Sequence, residues 1–384
     1  MRVLISTTPM EGVFAPVAPL ARELLAQGHE VLVATAPQLM RRVGEAGLAV
    51  VAAGPDAPEA AAEAVTLPEF AAGQQPWRIG AVMFSRVMAP RKTTDLLEIV
   101  EEFEPHVILH APVDLAAPLV AMVCKIPSLT YGTGLMLEPE LIAAMAEWVA
   151  PLWDSFGIEP DAHAGLYRYG YLDPVPASLQ PDLGPAADIA QPIRPAVSGS
   201  VDDELPEAIQ RMGRRPLVYV SLGTVPIFNQ PTAFGPLLAG LADLDIDVVA
   251  TVGTETAPSD LGPVPANVHV AQWLSLAALL PHCDAVLCHA GAGTTLAALS
   301  HGIPLVLSPR GADQFPTASA CAAAGVARVL PPDRVTPDTV RGAMESVLTE
   351  TSYREAAERL CAEISERPSA AAVAAELPRF ARQA

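Results

Sequence analysis

The sequence is poor in cysteine, in aromatic residues and in positive charge. Of its 384 residues, 5 are cysteines and 5% are aromatic, and 23 lysines and arginines stand against 43 acidic residues, which gives a formal charge of −20. The cysteines are scattered, with no spacing typical of a zinc site or a disulfide framework, so we expect reduced core residues of a cytoplasmic protein. The acidic balance disfavours nucleic acids and anionic membranes as partners.

Long hydrophobic runs are also missing. No apolar stretch approaches the ~18 residues of a membrane span, and no signal-peptide pattern precedes the first strand, so we expect neither an anchor nor a cleaved leader. What is present is 51% hydrophobic residues with regular turn punctuation, which is typical of a globular protein. The length predicts about two or three domains.

Short apolar runs alternate with helical patterns, which predicts a doubly wound α/β fold. In the N-terminal half, strands are predicted over 3–6, 29–35, 105–110 and 126–131, and helices over 17–26 and 115–124. A proline-rich stretch over 174–206 predicts an extended linker, and an amphipathic helix is predicted over 352–366. We therefore predict an N-terminal domain over 1–205 and a C-terminal domain over 206–384.

The most informative run is His289-Ala-Gly-Ala-Gly-Thr294, which lies between a buried strand pattern and an alanine-rich helical pattern. Small residues with free backbone N–H groups at the start of a helix form an anion site, and phosphate is its natural guest. A tight turn between a strand and a helix also calls for glycine without any ligand. The run therefore predicts a phosphate site, with a purely structural turn as the alternative.

Three more turns follow predicted strands, where open α/β sheets bind ligands. They are Ser221-Leu-Gly223-Thr224, Gln272-Trp273-Leu274 and Asp313-Gln314. Together with the His289 run they outline one pocket for a nucleotide diphosphate. It offers an aromatic face for the base, two N–H-rich turns for the phosphates and an Asp-Gln pair for hydroxyl groups.

The order of these motifs resembles the nucleotide-sugar glycosyltransferases of the GT-B fold, specifically the antibiotic-type family 1 enzymes of actinomycetes. The resemblance covers essentially the whole chain and implies two Rossmann-like doubly wound domains that face a central cleft, with the final helix returning to the first domain. It implies an inverting, metal-independent transfer of a deoxysugar, with a dTDP-sugar as co-substrate and no cofactor. The donor-binding residues that it implies are Ser221, Gly223, Thr224, Trp273, Leu274, His289, Gly291, Gly293, Thr294, Asp313 and Gln314.

The catalytic base of that family is a histidine in a GHxxP-like pattern before the first helix, and this chain departs from it. The matching segment is Glu11-Gly12-Val13-Phe14-Ala15-Pro16, in which valine stands where the family has histidine. An alcohol that attacks at neutral pH needs a positioned base, which contributes about 10²–10⁴-fold, and valine cannot supply it.

Three explanations of Val13 stay open. A phenol ionises more easily than an aliphatic alcohol and is nucleophilic at its ortho carbon, which favours C-glycosylation of an aromatic acceptor. Alternatively, O-transfer uses Glu11 or Asp114 as its base, although Glu11 also suits a solvated loop and Asp114 the N-cap of the next helix. Thirdly, the protein binds its donor without turnover, as an auxiliary subunit. An epimerase on the same fold would instead require carboxylates that face the sugar.

The acceptor site is expected in the N-terminal half, which carries side chains able to line a large apolar cavity. The acceptor-binding candidates are Val13, Phe14, Met83, Phe84 and Tyr131, with core packing as the alternative for each. The segment 67–91, which includes Trp77, lacks a clean period and is predicted to be a mobile loop over the acceptor. Lys92, just after it, meets either an acidic acceptor group or solvent. The sequence leaves a homodimer open.

Overall fold

A computed structural model describes residues 1–71, 78–180, 182–212, 214–225 and 227–383. The chain divides into two compact units. The first comprises Met1–Pro174, Asp182–Arg194 and Arg367–Ala384, and the second comprises Val175–Pro181 and Pro195–Glu366. Residues 195–205, which the sequence assigned to the N-terminal domain, belong to the second unit in this division.

The first unit is built on a parallel sheet of seven strands in the order β3-β2-β1-β4-β5-β6-β7. Its strands are β1 (Arg2–Ser6), β2 (Glu30–Thr35), β3 (Ala49–Ala52), β4 (Val107–His110), β5 (Ser128–Tyr131), β6 (Tyr171–Asp173) and β7 (Ala190–Pro192). Val3, Leu4 and Ile5 in the central strand are fully buried, as expected of a parallel strand that helices cover on both faces.

Helices connect these strands in the right order for a doubly wound sheet. They are α1 (Glu11–Phe14), α2 (Ala18–Ala26), α3 (Pro37–Glu45), α4 (Ala57–Ala64), α5 (Pro68–Ala71), α6 (Arg78–Val82), α7 (Ala89–Phe103), α8 (Ala116–Cys124) and α9 (Pro139–Ser155). A π-helical segment, Met83–Met88, joins α6 to α7, and a 3₁₀ turn covers Gly184–Ala186.

The second unit holds a parallel sheet of six strands in the order β10-β9-β8-β11-β12-β13. Its strands are β8 (Leu217–Ser221), β9 (Asp247–Thr251), β10 (Val268–Ala271), β11 (Ala285–Cys288), β12 (Leu305–Leu307) and β13 (Ala327–Val329). Its helices are α10 (Glu207–Gln210), α11 (Pro231–Leu241), α12 (Leu276–Leu279), α13 (Ala292–Leu299), α14 (Gln314–Ala323), α15 (Pro337–Thr349) and α16 (Thr351–Glu366). Its 3₁₀ turns are Pro258–Leu261, Leu280–His282 and Pro332–Arg334.

The last helix, α17 (Ala370–Gln383), belongs to the first unit and packs against α2. Val373, Ala374 and Leu377 join the core that lies between this helix pair and the sheet. In the part of the chain that the structure describes, no helix is both long enough and apolar enough to cross a membrane.

Each sheet has a switch point, where the strand order reverses. β1 pairs with β2 on one side and with β4 on the other, which sets Ser6 beside His110. β8 likewise pairs with β9 and β11, which sets Ser221 beside Cys288. Ligands of open α/β sheets bind beyond the carboxyl ends of the strands at such points. We call these places the first and the second switch point.

The predicted fold class is confirmed, since both units are α/β with parallel sheets. The six elements predicted in the N-terminal half are present, with bounds that shift by at most two residues. The described residues of the segment 174–206 are irregular, as predicted, apart from β7 and one 3₁₀ turn. The prediction of a loop over 67–91 was wrong, since the described residues of this segment are largely helical. A strand of three residues shows no period, and a π-helix departs from the 3.6-residue period. Residues 72–77, and so Trp77, lie outside the described residues.

Candidate donor and acceptor sites

The loop between β11 and α13, at the second switch point, has the geometry of an anion site. Gly291 is the N-cap of α13 in an extended conformation, and Ala290 before it has a left-handed φ of 65°. The first bond that closes the helix runs from the Thr295 N–H to the Gly291 carbonyl at 3.0 Å. The N–H groups of the preceding turn, which includes Gly293 and Thr294, therefore have no carbonyl partner within the helix. They and the helix dipole favour an anion.

The ring of His289 joins this loop to the turn after β8. A Cβ added at Gly223 would lie 2.5 Å from its Nε2, and one added at Gly291 would overlap the same ring. Gly223 also has a φ of 82°, a conformation that favours glycine. The glycines of the two motifs are thus explained by one imidazole that packs between them.

His289 is neutral at pH 7. Burial lowers the pKa of its ring to about 4, a hydrogen bond to the Ser221 backbone only partly opposes this, and the charge of Arg310 adds to the lowering. The hydroxyl of Ser221 accepts a hydrogen bond from the Gly223 N–H at 3.3 Å, and Thr224 beyond it is exposed. His289 therefore shapes the site more than it supplies positive charge.

The turn after β12 separates the two members of the Asp-Gln pair. The Gln314 Oε1 accepts hydrogen bonds from the N–H groups of Arg310, at 2.8 Å, and Gly311, at 3.2 Å, so it holds the turn together. Asp313 is exposed at the start of α14, where its carboxylate can accept bonds from hydroxyl groups. The sequence predicted one role for both residues, and the geometry gives them two.

Arg310 is a cation in this turn that no sequence motif singles out. Its side chain is half-buried, and its Nε is buried with no hydrogen-bond partner among the described residues. Its Nη2 donates to the Ala233 carbonyl at 3.5 Å. Burial lowers the pKa of Arg310, yet a guanidinium stays charged at neutral pH. The turn therefore carries a positive charge that acts on His289.

Trp273 and Leu274 follow β10 at the edge of the second sheet. Trp273 is 44% exposed and offers an aromatic face on which a base can stack, whereas Leu274 is buried. Gln272 fixes the turn by donating to the Thr256 carbonyl at 3.1 Å. Together with the three turns above, all predicted donor residues therefore lie in the second unit.

At the first switch point, the carboxylate of Asp114 lies in a buried ion pair. Its Oδ2 accepts hydrogen bonds from the Ser6 hydroxyl at 2.6 Å and from the Lys92 Nζ at 2.7 Å. Its Oδ1 accepts from the Ala117 N–H at 3.3 Å, which caps the start of α8. Lys92 Nζ also donates to the Thr7 carbonyl at 2.6 Å.

Neither predicted base has the environment of one. Burial alone would raise the pKa of Asp114, but the charge and hydrogen bond of Lys92, with the Ser6 hydroxyl, outweigh it and lower that pKa. A carboxylate with a lowered pKa is a weaker proton acceptor. Glu11, in α1, pairs with Arg42 at 3.0 Å. The geometry thus favours a charge-pairing role for both carboxylates over a catalytic one.

A small, partly open cavity lies beside this ion pair and has a volume of about 10 Å³, which is enough for one water-sized group. Polar groups of Thr8, Lys92 and Asp114 line one part of it, and Phe84 and Met88 of the π-helical segment line another. Among the described residues, the buried Thr8 Oγ1 has no hydrogen-bond partner. The cavity therefore combines an apolar wall with unused hydrogen-bonding capacity.

The acceptor-binding candidates are only partly brought together. Phe84 lines the cavity. Phe14 and Tyr131 are buried in the core around the sheet, and Val13 packs against that core half-buried. Met83 is buried in a separate cluster with α4. Phe14 and Tyr131 thus pack as core residues, the alternative that the sequence allows for each candidate, and their role in acceptor binding stays a prediction.

Lys92 is the residue of this site whose role no sequence motif predicts, since its position after the segment 67–91 suits contact with an acidic acceptor group or with solvent. The overlooked signal is its position on α7. The apolar stripe of this helix is formed by the buried residues Ala89, Leu96, Ile99 and Val100. A lysine in such a stripe needs a buried partner.

Across the described residues, no group of three or more His, Cys, Asp or Glu side chains is placed to hold a metal ion.

Comparisons with known proteins match nearly the whole chain to glycosyltransferases. Residues 22–194 and 236–380 match the family models described as the N-terminal and C-terminal domains of erythromycin biosynthesis protein CIII-like proteins. The elloramycin glycosyltransferase ElmGT of Streptomyces olivaceus is 31% identical over 397 residues, which cover 98% of this chain and 97% of the relative. The TDP-daunosamine transferase DnrS of Streptomyces peucetius is 29% identical over 408 residues, covering 93% and 91%. The solved structure of the glycosyltransferase SsfS6 of Streptomyces sp. SF2575, complexed with thymidine diphosphate, is 26% identical with a TM-score of 0.82, covering 99% of each chain.

Proposed function

This chain belongs to the family of erythromycin biosynthesis protein CIII-like glycosyltransferases, and we propose that it moves a deoxysugar from a dTDP donor to an aromatic natural-product acceptor, with inversion and with C–C bond formation. It is a nucleotide-sugar-dependent enzyme of the antibiotic-tailoring type, with the GT-B fold. The observation that carries the proposal is the second switch point, where His289 locks two glycine turns around the start of α13.

The donor half of the proposal rests on charge. A nucleoside diphosphate brings negative charge to a chain of formal charge −20, so the site must supply local positive potential. The N–H groups at the start of α13 and the guanidinium of Arg310 supply it without a metal ion. As the bond from the sugar to the diphosphate breaks, they stabilise the charge that develops on the leaving group. The relatives that use TDP-daunosamine or bind thymidine diphosphate support dTDP as the nucleotide.

The sugar is proposed to lie against Asp313. An exposed carboxylate beside the phosphate loop accepts hydrogen bonds from sugar hydroxyl groups, whereas Gln314 shapes the turn that presents it. In this arrangement Asp313 selects the sugar, and the start of α13 binds the part common to all donors of the same nucleotide.

The acceptor half rests on Val13 and on the ion pair of Asp114. With valine in the frame of the base and with Asp114 and Glu11 both paired, the acceptor itself must be an easily ionised nucleophile. A phenol meets this need, and the apolar side chains of Phe84 and Met88 suit its ring.

The phenol loses its proton to water, and its ortho carbon forms a bond to the anomeric carbon from the face opposite the diphosphate. The anomeric C–O bond breaks, and the diphosphate leaves with the electron pair. The ring then loses the proton on the attacked carbon to water, which restores the aromatic ring as a phenolate. The phenolate oxygen takes one proton back from water, which restores the phenol. No oxidant or second substrate is consumed.

Turnover with dTDP-deoxysugars and a panel of phenolic polycyclic acceptors tests the proposal. Mass spectrometry before and after acid hydrolysis is expected to find a sugar adduct that survives acid, as a C–C bond does. An acid-labile adduct would replace C-glycosylation by O-transfer with a base other than histidine. Tight dTDP binding without any adduct would leave a donor-binding auxiliary protein and overturn the transferase proposal.

A further inference from the structure

Lys92 occupies a position that lysine rarely takes. The chain has two lysines, Lys92 and Lys125. Lys125 is exposed at the end of α8, whereas Lys92 is 4% exposed within the apolar stripe of α7. Burial of an ammonium costs several kcal/mol, and a pair of apolar side chains holds a helix to a sheet at least as well as a buried ion pair. Stability alone therefore does not account for Lys92.

The hydrogen bonds around Lys92 leave part of its capacity unused. Its Nζ donates to the Asp114 carboxylate and to the Thr7 carbonyl, at 2.7 and 2.6 Å. An ammonium has three N–H groups, so one is left without a partner among the described residues. The Asp114 carboxylate, by contrast, accepts from the Ser6 hydroxyl, the Ala117 N–H and Lys92. The pair as a whole therefore offers a donor rather than an acceptor.

A second unused donor lies in the same cavity. Thr8 is 2% exposed as a residue, and its buried hydroxyl lacks a hydrogen-bond partner among the described residues. Thr8 and Lys92 line the cavity together with the apolar side chains of Phe84 and Met88. Two donors beside an apolar wall match an electron-rich oxygen on the edge of an aromatic ring.

Resting on the proposed function, we propose that this cavity takes the phenolic oxygen of the acceptor and that the Lys92 ammonium holds this oxygen in its ionised form. Lys92 thereby does by charge what the histidine of the family does as a base, since a phenolate needs no proton acceptor when it attacks. The phenolic proton goes to water before transfer, and Thr8 donates a second hydrogen bond to the same oxygen.

Asp114 opposes the phenolate and yet serves the site. It holds the buried Lys92 side chain in place through the ion pair at 2.7 Å. The ammonium contacts the phenolic oxygen directly, whereas the carboxylate lies one hydrogen bond further away, so the attraction exceeds the repulsion.

The other titratable groups around the pair do not compete. His110, at the end of β4, is neutral above a pKa of about 4 because it is buried. Burial raises the pKa of Tyr131, at the end of β5, so that it stays neutral too. Asp95, one turn further along α7, accepts a hydrogen bond from the Gly54 N–H at 2.7 Å.

The direct test is a pH titration of a bound, coloured phenol. The probe is 1,8-dihydroxyanthraquinone, whose absorption moves to longer wavelength when a hydroxyl group ionises. In the wild-type protein we expect the bound probe to ionise about one pH unit below the free probe, a tenfold preference for its anion. Equal ionisation of the bound and the free probe would overturn the proposal.

Variants assign the effect to Lys92. Lys92→Met with Asp114→Leu replaces the ion pair by apolar side chains, so it avoids an unpaired buried carboxylate, and it should abolish the shift. Asp114→Asn should enlarge the shift, because it removes the opposing charge. Arg91→Met removes the neighbouring cation, which pairs with Glu59 and Glu63 away from the cavity, and should leave the shift unchanged. A shift that survives the double change assigns the cavity to another group and refutes the role of Lys92.

A measurement on the unaltered site guards against variants that fail to fold. With ¹³C-labelled lysine the protein gives two Cε signals, and Lys125→Arg identifies the one from Lys92. The probe should move the Lys92 signal in a saturable way and leave that of Lys125 in place. A Lys92 signal that ignores the bound probe would refute direct contact.

The outcome is separable from that of the proposed function. If sugar transfer occurs but the Lys92 and Asp114 double variant keeps kcat and its pH profile, the transferase stands and the role of Lys92 falls. If the probe ionises as expected but no acceptor receives a sugar, the cavity stands and the transferase proposal falls. For a correct proposal we expect kcat at pH 7 to drop about tenfold and to recover at high pH, with an unchanged KM for the sugar nucleotide.

Discussion

The two switch points share a topology and differ in what fills them. At the second, the chain offers glycine turns, the N–H groups of α13 and a neutral imidazole. At the first, it offers a buried Lys92–Asp114 pair, hydroxyl groups and an apolar wall. One is built mainly of backbone, from two adjacent loops, and the other mainly of side chains, from the ends of β1 and β4, the π-helical segment and α7.

This difference follows from the chemistry of the proposed ligands. A diphosphate carries concentrated charge, which backbone N–H groups and a helix dipole bind whatever the neighbouring side chains are. An aromatic acceptor carries few polar groups, so its site must be shaped by side chains and can use only a few placed donors. The second switch point is therefore suited to a constant ligand and the first to a particular one.

The largest effect should come from acid, because each switch point holds a neutral histidine, buried in the case of His110 and partly buried in the case of His289. Burial lowers the pKa of both His110 and His289 from 6.5 to about 4. The unfolded chain thus binds protons below pH 6.5 that the folded chain takes up only near pH 4, so the free energy of unfolding falls as the pH falls through this window. We expect a loss of about 3 kcal/mol for each ring, seen as a decrease in the midpoint of urea unfolding.

Matched variants decide which ring is responsible. His110→Gln and His289→Gln should each remove about half of this pH dependence if the two sites are equivalent. His282→Gln, which replaces an exposed histidine, serves as the control. A midpoint that stays constant between pH 6.5 and 4.5 would contradict burial of both rings as neutral species.

The next effect should separate the sites by ligand. Gly291→Ala puts a methyl group into the ring of His289, and such overpacking costs about 1–3 kcal/mol, so dTDP should bind up to about 100-fold more weakly. Calorimetric titration with dTDP measures this, and ionisation of the anthraquinone probe at the first switch point should not change. Gly342→Ala is the control, since its added Cβ meets no atom of the described residues within 4 Å. Full dTDP affinity in Gly291→Ala would refute the role of the imidazole as a spacer.

The same contrast explains why the sequence predicts the phosphate loop and does not predict the Lys92–Asp114 ion pair. The phosphate loop is local, since His289, Gly291 and the start of α13 are consecutive, so a motif displays it. The ion pair joins residues 22 positions apart, Lys92 on α7 and Asp114 in the loop before α8, and no local pattern links them. The sequence feature that points to the ion pair is a lysine within the apolar stripe of a helix, in a chain that has two lysines.

The remaining differences between the sequence-based predictions and the structure have a similar cause. Phe14 and Tyr131 point into the core although they flank the first switch point, and the period of a sequence does not distinguish a core position from a wall of a cavity. The strands β6 and β7 have three residues each within or beside a proline-rich stretch, too few for any alternation to be detected. The central strands of the sheet were therefore predicted from the sequence, whereas the edge strands β6 and β7 were not.

A smaller effect tests whether dTDP is bound by the local positive charge of Arg310 at the second switch point or by the overall charge of the protein. Arg310→Met removes a guanidinium whose buried Nε lacks a hydrogen-bond partner among the described residues. A hydrogen bond to a charged group contributes about 1.5–3 kcal/mol, so dTDP should bind at least about tenfold more weakly and with less dependence on salt. Arg328→Met removes an exposed arginine from the same unit and controls for net charge. Equal behaviour of the two variants would show that only the overall field matters.

The next prediction separates binding of the sugar from binding of the diphosphate at the second switch point. Asp313→Asn should weaken binding of a dTDP-sugar about fivefold, since one hydrogen bond contributes about 1 kcal/mol, and should spare free dTDP. Competition between the two ligands measures the ratio directly. An equal loss for both would place Asp313 at the phosphates and would remove the distinction between Asp313 and the phosphate loop.

The smallest change should make the first switch point resemble the family pattern. Val13 is half-buried against the core, next to the turn that carries Thr8, and Val13→His restores an imidazole to the frame of the family's base. Without a partner to orient the ring, it should supply only a small part of the 10²–10⁴-fold of a positioned base, about a twofold to tenfold gain in acid-labile product. The ratio of acid-labile to acid-stable adduct measures it, and Val13→Gln, of similar polarity but no basicity, is the control. A gain shared by both variants would point to space rather than basicity. If Val13→His fails to fold and Val13→Gln folds, position 13 is a core position. Val13 would then give no evidence on whether the sugar is transferred to carbon or to oxygen, and that question would rest on Lys92.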